Sequence, residues 1–273
     1  MPHYVHGSAS LDEAVKAVMI DAAERAILPR FRQLERHDIR EKAPDELVTT
    51  ADVESEAILS AGLTRVISEA AIVGEEAVDA DSSVSARLSG RLCWIIDPLD
   101  GTANFAAGEG PFGILVALAE HGETIGGWIY DPRTRRFVAA QKGQGTLIDG
   151  MPVRAGGSGQ LPPIAAISSL LAPVQARAAM LERVTRHFET VPIPRCAAEQ
   201  YPAMILGRSD ITLYERTLAW DHAAGILCLT EAGGVATRFD GTSYRADDER
   251  TGLIAASTPE LWQAAFDLVR DPQ

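Results

Sequence analysis

Trp94-Ile95-Ile96-Asp97-Pro98-Leu99-Asp100-Gly101-Thr102-Ala103-Asn104-Phe105 joins an apolar run to two carboxylates, a glycine and a threonine. The run from Leu92 to Ile96 reads as a buried strand. Pro98 has no amide proton to give a sheet ladder and is expected to end it. Two acids three residues apart then sit on a turn ahead of a helix start. Asp97, the Leu99 carbonyl and Asp100 would face one point, an all-oxygen set of the kind that hard divalent cations such as magnesium take. Standing alone, the same residues would sooner make a surface turn with two hydrated aspartates. Partners elsewhere in the chain decide between the two.

The 273 residues suffice for one large domain or two modest ones, and 46% hydrophobic with 23% charged residues suits an ordinary globular protein. The net charge is −13, with no basic block, so nucleic acid is not an expected partner. Cys93, Cys196 and Cys228 are odd in number and form no C-x-x-C pair, which points to neither zinc nor a disulfide framework. Cys93 and Cys228 lie in apolar runs and read as small core residues. Met1 to Ser10 carries no basic-then-apolar leader, and no apolar run approaches the roughly 18 residues of a membrane span. Neither secretion nor a membrane is expected, and a reducing cytoplasm is the expected location.

Outward from the opening stretch, Ser10 can cap a helix from Leu11 to about Arg32, with Pro29 able to kink it. His37 to Glu46, which contains Lys42, reads as a charged loop. Leu47-Val48-Thr49-Thr50-Ala51-Asp52 precedes a helix from Val53 to about Glu69, with Asp52 placed to cap it. The strand Ala71-Ile72-Val73 then runs into Gly74-Glu75-Glu76, so a second strand stops at acids. Residues 77–90 read as an exposed, mobile loop. Three strands follow, Phe112 to Glu120, Thr124 to Tyr130 and Arg136 to Ala140, with tight turns at Gly143, Gly145 and Gly150. They imply a largely antiparallel sheet in an N-terminal half, residues 1–155.

Beyond a glycine-rich connector the remaining half, 156–273, alternates strands and helices and reads as a smaller α/β layer. The expected helices are Val174 to Phe188, Ala197 to Leu206 (with Pro202 in its first turn or kinking it), Asp221 to Ala232 and Pro259 to Val269. The expected strands are Ile164 to Ser168, Val191 to Ile193, Asp210 to Tyr214, Val235 to Thr237 and Gly252 to Ala256. Asp221 falls at a helix N-terminus, in Trp220-Asp221-His222-Ala223-Ala224-Gly225, where taken alone it would sooner cap the helix than bind an ion, and where small residues allow close packing.

Asp52, Glu75, Asp97, Asp100 and Asp221 therefore all lie where an element begins or ends, beside small residues. Five gathered carboxylates repel one another unless cations neutralise them, and divalent ions that bridge a phosphate would do so.

With these residues in view, the chain resembles the inositol monophosphatase family. The resemblance rests on Asp97-Pro98-Leu99-Asp100-Gly101-Thr102, Gly74-Glu75-Glu76, Trp220-Asp221-His222-Ala223-Ala224-Gly225 and Leu47-Val48-Thr49-Thr50-Ala51-Asp52, in the family's order and spacing from about residue 10 to 270. It implies a layered αβαβα sugar-phosphatase fold that is magnesium-dependent, lithium-sensitive and dimeric, acting on a small phosphate monoester with two to three Mg2+ per site. By the same resemblance, Glu75, Asp97 and the Leu99 carbonyl would hold one ion, and Asp97, Asp100 and Asp221 a second. Glu75 would help a third through water. Asp52 and Thr102 would activate the attacking water, the Gly101 and Thr102 amides would bind phosphate, and Lys42 would stand near the weakest metal site.

Substrate-pocket positions depart from the pattern. Arg195-Cys196-Ala197-Ala198 replaces the Gly-Ser/Thr-Ala-Ala usual in inositol-specific members, and Glu215 sits one residue closer to the Trp-Asp element than the family's substrate glutamate. Arg195 could meet a second anionic group or be a plain surface arginine. Cys196 could be a pocket-wall residue or a nucleophile. Inositol monophosphate is the first candidate substrate, with histidinol phosphate, fructose 1,6-bisphosphate and 3′-phosphoadenosine 5′-phosphate open. A non-catalytic regulatory partner is the other class of reading.

Overall fold

Trp94 and Ile96 point to one face of the strand that contains them, and Cys93 and Ile95 to the other, and all four are buried. That alternation, repeated on the next strand, sets the architecture of the computed structural model, which describes residues 10–43, 46–168 and 174–270. The reading of Met1 to Ser10 as lacking a leader falls outside the described residues save for Ser10. No helix among the described residues is long and apolar enough to cross a membrane.

Helix α1 (Leu11–Ala22) starts at Ser10, whose side chain and Glu13 form a reciprocal cap. The expected helix to Arg32 does not stay regular: it widens over Ala23–Ile27 and tightens over Leu28–Arg30, where Pro29 removes an amide. The expected loop His37 to Glu46 is instead mostly a hairpin, β1 (Ile39–Ala43) against β2 (Glu46–Thr49), with Pro44 and Asp45 outside the described residues. The consecutive charges Arg40-Glu41-Lys42, without apolar-polar alternation, disguised it as a loop. Helix α2 (Thr50–Val66) starts earlier than expected. Its cap is Thr49, and Asp52 is the third helical residue, closing the box from inside.

Strand β3 (Ala71–Gly74) leads into α3 (Glu75–Ala80) and a short 3-10 segment, Ser82–Ser89. The expected mobile loop over 77–90 is therefore ordered, because Val84 and Leu88 bury themselves in the core. Strand β4 (Cys93–Asp100) pairs parallel to β3 and antiparallel to β5 (Gly113–Glu120), with α4 (Thr102–Ala106) between β4 and β5. Pro98 does not end β4. It sits in a register break, Asp97 facing Leu115 and Asp100 facing Gly113, so the strand carries one extra residue there. Strands β6 (Glu123–Asp131), β7 (Arg136–Gln141), β8 (Thr146–Ile148) and β9 (Met151–Val153) complete a seven-stranded sheet in sequence order, the last two unforeseen.

The second sheet runs β11 (Glu189–Pro192), β10 (Ile164–Ile167), β12 (Ile211–Tyr214), β14 (Leu253–Ala256), β13 (Val235–Thr237). Its helices are α5 (Val174–Thr185), α6 (Ala197–Ile205), α7 (Ala219–Glu231) and α8 (Pro259–Arg270). Pro202 lies in the interior of α6, beyond its first turn.

Helices α1 and α2 cover one face of the large sheet, α6 and α7 lie between the two sheets, and α5 and α8 close the far side, giving αβαβα. Both faces of β4 and β5 are therefore buried, which is why they read as unbroken apolar runs. Small residues make the middle layer thin. A Cβ on Gly225 would overlap the Tyr201 ring, and one on Gly127 would stand 2.7 Å from the Ala224 carbonyl. All three cysteines are buried and unpaired.

Candidate active site

The extra residue in β4 aims its acids away from the ladder. Asp97 is buried, its Oδ1 accepting the Leu99 amide at 3.1 Å. Loss of hydration pushes its carboxyl well above the usual range, and Glu75, Asp100, Asp221 and Asp52 push it further. Asp100 is half-buried. Its hydration loss, offset by the Ala198 amide donating to Oδ2 at 2.6 Å, leaves it at about 6. Asp221 is likewise raised well above normal, by burial and then by Glu75 and Asp100, against the opposing pull of Arg216. It is the third residue of α7, and Leu218 holds the cap position that was expected of it. The structure thus brings Glu75, Asp97, Asp100 and Asp221 into one repulsive field from three separate elements, α3, β4 and α7.

Asp52 and Thr102 meet beside it. Thr102 Oγ1 lies 3.0 Å from Asp52 Oδ1 and 2.9 Å from the Leu99 carbonyl, so its single proton has either oxygen as acceptor. Asp52 Oδ2 accepts the Thr49 amide at 2.8 Å and the Thr49 hydroxyl at 2.6 Å. Burial raises the Asp52 carboxyl to about 7, beyond what those donors and the Thr102 hydroxyl hold down. Gly101 precedes α4 in a left-handed conformation (φ 83°) that turns the chain, and a Cβ there would meet the Pro111 carbonyl at 2.7 Å.

Lys42, on the hairpin, reaches Glu76 at 2.7 Å and Glu75 at 3.3 Å. Burial opposes its charge, but the two glutamates more than offset this and raise its pKa. Glu56 was missed in the sequence. It lies one turn after Asp52 on α2, is buried, and its two oxygens accept the Glu76 and Ala77 amides at 2.8 and 2.9 Å, which fixes the start of α3 and so Glu75. The i, i+4 spacing of two acids on a core-facing helix was the available signal. Gly74 is the matching concavity, since a Cβ there would overlap the Glu56 carboxylate. Gly74→Ala is expected to destabilise the protein by about 1–3 kcal/mol in chemical denaturation; an unchanged midpoint would argue against this fit.

Of the pocket residues, Cys196 is buried, and burial followed by Asp100 drives its thiol pKa well up, which suits a wall rather than a nucleophile. Ala197 begins α6. Arg195 is exposed, with φ 52°. Glu215 is half-buried and accepts the Thr251 hydroxyl at 3.0 Å.

Among the described residues no group of three or more His, Cys, Asp or Glu side chains is drawn together closely enough to cage an ion as it stands. The donor chemistry nonetheless fits a hard cation: all oxygen, dehydrated, and mutually repelled. The raised groups give a sign for pH. Asp52 and Glu56, each pushed up to about 7 chiefly by burial, keep protons that the unfolded chain loses near pH 4. They destabilise nothing below pH 4, and their penalty grows up to about pH 7 and stays constant above it. The metal-free protein is expected to melt at a lower temperature at pH 8 than at pH 5, by scanning calorimetry with a chelator. A midpoint that rises over that window would contradict the assignment.

The inositol monophosphatase family model matches residues 9–271. An inositol-1-monophosphatase of Rhizobium meliloti is 30% identical over 97% of both chains. Nus factor SuhB of Escherichia coli is 27% identical over 93% of this chain and 95% of its own. Among solved structures, the extragenic suppressor protein suhB of Bartonella henselae superposes with a TM-score of 0.79 at 26% identity, covering 95% of this chain and all of that one. The protein is a phosphatase of this fold, and it belongs to the inositol monophosphatase family.

Proposed function

We propose that the protein hydrolyses a small phosphate monoester with magnesium, two to three ions per site, and that inositol monophosphate is its first candidate substrate. The observation that carries this is the convergence of four mutually repelling carboxyls on the Asp52–Thr102 pair. Glu75, Asp97, the Leu99 carbonyl, Asp100 and Asp221 would hold the cations. When bound, these would neutralise phosphoryl oxygens, acidify a water and steady the leaving alkoxide.

The chain's own groups do the rest. Thr102 Oγ1 gives its proton toward Asp52 and keeps lone pairs to accept one from a water. Asp52, near 7, takes up a proton without leaving the neutral range. The Gly101 and Thr102 amides, at the start of α4, orient phosphate oxygens. Lys42 keeps Glu75 and Glu76 from repelling the substrate outright.

Histidinol phosphate, fructose 1,6-bisphosphate and 3′-phosphoadenosine 5′-phosphate are alternatives. The name of a relative in Thermotoga maritima, fructose-1,6-bisphosphatase/inositol-1-monophosphatase, favours the second of these. Relatives named Nus factor SuhB favour a regulatory second reading. A cytoplasmic, lithium-sensitive homodimer completes the proposal.

Phosphate release from a panel of these esters, with magnesium and with chelator, tests it; no release from any member would refute it. Asp221→Asn is expected to weaken magnesium dependence at least tenfold while the protein stays folded, and unchanged magnesium dependence would remove Asp221 from the ligand set.

A further inference from the structure

Residue 195 occupies a left-handed backbone conformation, φ 52°, that glycine adopts freely and arginine does not. Strain of this kind persists where the surroundings over-determine it, and such positions gather at ligand-binding sites. Here the surroundings are identifiable. Asn104 Nδ2, from α4, donates to the Pro111 carbonyl at 2.8 Å and to the Pro194 carbonyl at 3.1 Å, pinning the segment just before Arg195. On its other side the Cys196 thiol contacts the Asp100 carbonyl oxygen at 3.8 Å, and the Ala198 amide holds the Asp100 carboxylate. A Cβ on Gly101 would stand 3.3 Å from the Cys196 Cβ. The strained residue is thus clamped on the rim of the Asp100-Gly101-Thr102 turn.

Other cations of the neighbourhood have partners, Arg133 lying over the Phe31 and Phe112 rings. Lys42 is held by Glu75 and Glu76, Arg216 by Glu46, and Arg136 and Arg208 by Glu199. Among the described residues Arg195 enters no ion pair or hydrogen bond, and it is exposed. A cation beside an acidic site, held at a strained position and left unpaired, matches an anion brought by the substrate. Guanidinium takes phosphate through two parallel N–H···O bonds.

We infer that Arg195 forms a second-anion subsite, so that the preferred substrate is a bisphosphorylated small molecule whose non-reacting phosphate Arg195 binds. This deepens the phosphatase reading above and rests on it, and it moves a bisphosphate ahead of inositol monophosphate among the candidate substrates. The reaction is unchanged: water adds to the scissile phosphorus, its P–O bond breaks, and the second phosphate leaves intact with the product.

The test compares kcat/KM for matched pairs, fructose 1,6-bisphosphate against fructose 1-phosphate and 3′-phosphoadenosine 5′-phosphate against 3′-AMP, in the wild type, Arg195→Gly and Arg195→Lys. Arg195→Gly relieves the backbone strain and is expected to fold. In at least one pair the wild type is expected to prefer the bisphosphate by about tenfold to a hundredfold, and Arg195→Gly to lose that ratio through KM. Arg195→Lys should fall between them, because it keeps charge without the fork. Raising salt should erode the preference in the wild type and not in Arg195→Gly. Phosphate release with the same bisphosphate-to-monophosphate ratio in wild type and Arg195→Gly would overturn the subsite and leave the phosphatase reading standing. Release from no member of either pair, with inositol monophosphate still hydrolysed, would also overturn the subsite alone. Release from nothing would overturn both.

Discussion

Asp97→Asn is expected to cut phosphate release by on the order of a thousandfold or more while raising the melting temperature of the metal-free protein. The two effects have opposite signs for one reason. Asp97 is 2% exposed, and its charge is opposed by burial and by Glu75, Asp100, Asp221 and Asp52. Asparagine keeps an oxygen for the Leu99 amide but removes the charge, so the folded chain loses a repulsion. A residue kept for packing alone would, on substitution, lower stability and spare chemistry. Activity assays with magnesium, together with calorimetry under chelation, separate the cases. Retained turnover, or a lower melting temperature, would sink the assignment.

The second large effect concerns the pair at the start of α4. Thr102→Ala and Asp52→Asn are each expected to lower kcat by about 10²- to 10⁴-fold, and the double variant to be little worse than either. The non-additivity follows from their shared proton: Thr102 Oγ1 is oriented by Asp52 Oδ1 and the Leu99 carbonyl, so removing either partner disables the unit. Losses that multiply in the double variant would show two independent roles.

Much of this was legible in the chain. The αβαβα layering is legible only through the family resemblance, whereas the apolar runs and helical periods by themselves give a largely antiparallel sheet followed by a smaller α/β layer. The site acids announce themselves as carboxylates at element ends. Where reading failed, tertiary context decided. Asp52 and Asp221 looked like caps because acids favour the first turn, yet Thr49 and Leu218 occupy the cap positions and both acids sit at the third helical residue. Pro98 looked like a strand end because a missing amide usually is one; a register break let the strand continue and aimed Asp97 and Asp100 at the site. Residues 77–90 looked mobile by composition, and only Val84 and Leu88, spaced one helical turn apart, betrayed their burial. Glu56 passed unseen because its partners are backbone amides twenty residues away, which no local pattern encodes.

Asp100 has one further consequence. Its backbone belongs to β4, while its carboxylate grips the first turn of α6, an element nearly a hundred residues downstream. Anything that engages that carboxylate therefore also acts on the tether between the large sheet and the middle helical layer. Amide protons at the start of α6 should exchange with solvent at a rate that tracks site occupancy, and Asp100→Asn should speed their exchange even with the site empty. The same tether makes resistance to proteolysis between residues 194 and 205 a readout of loading, so the site's occupant also governs how often the middle layer opens.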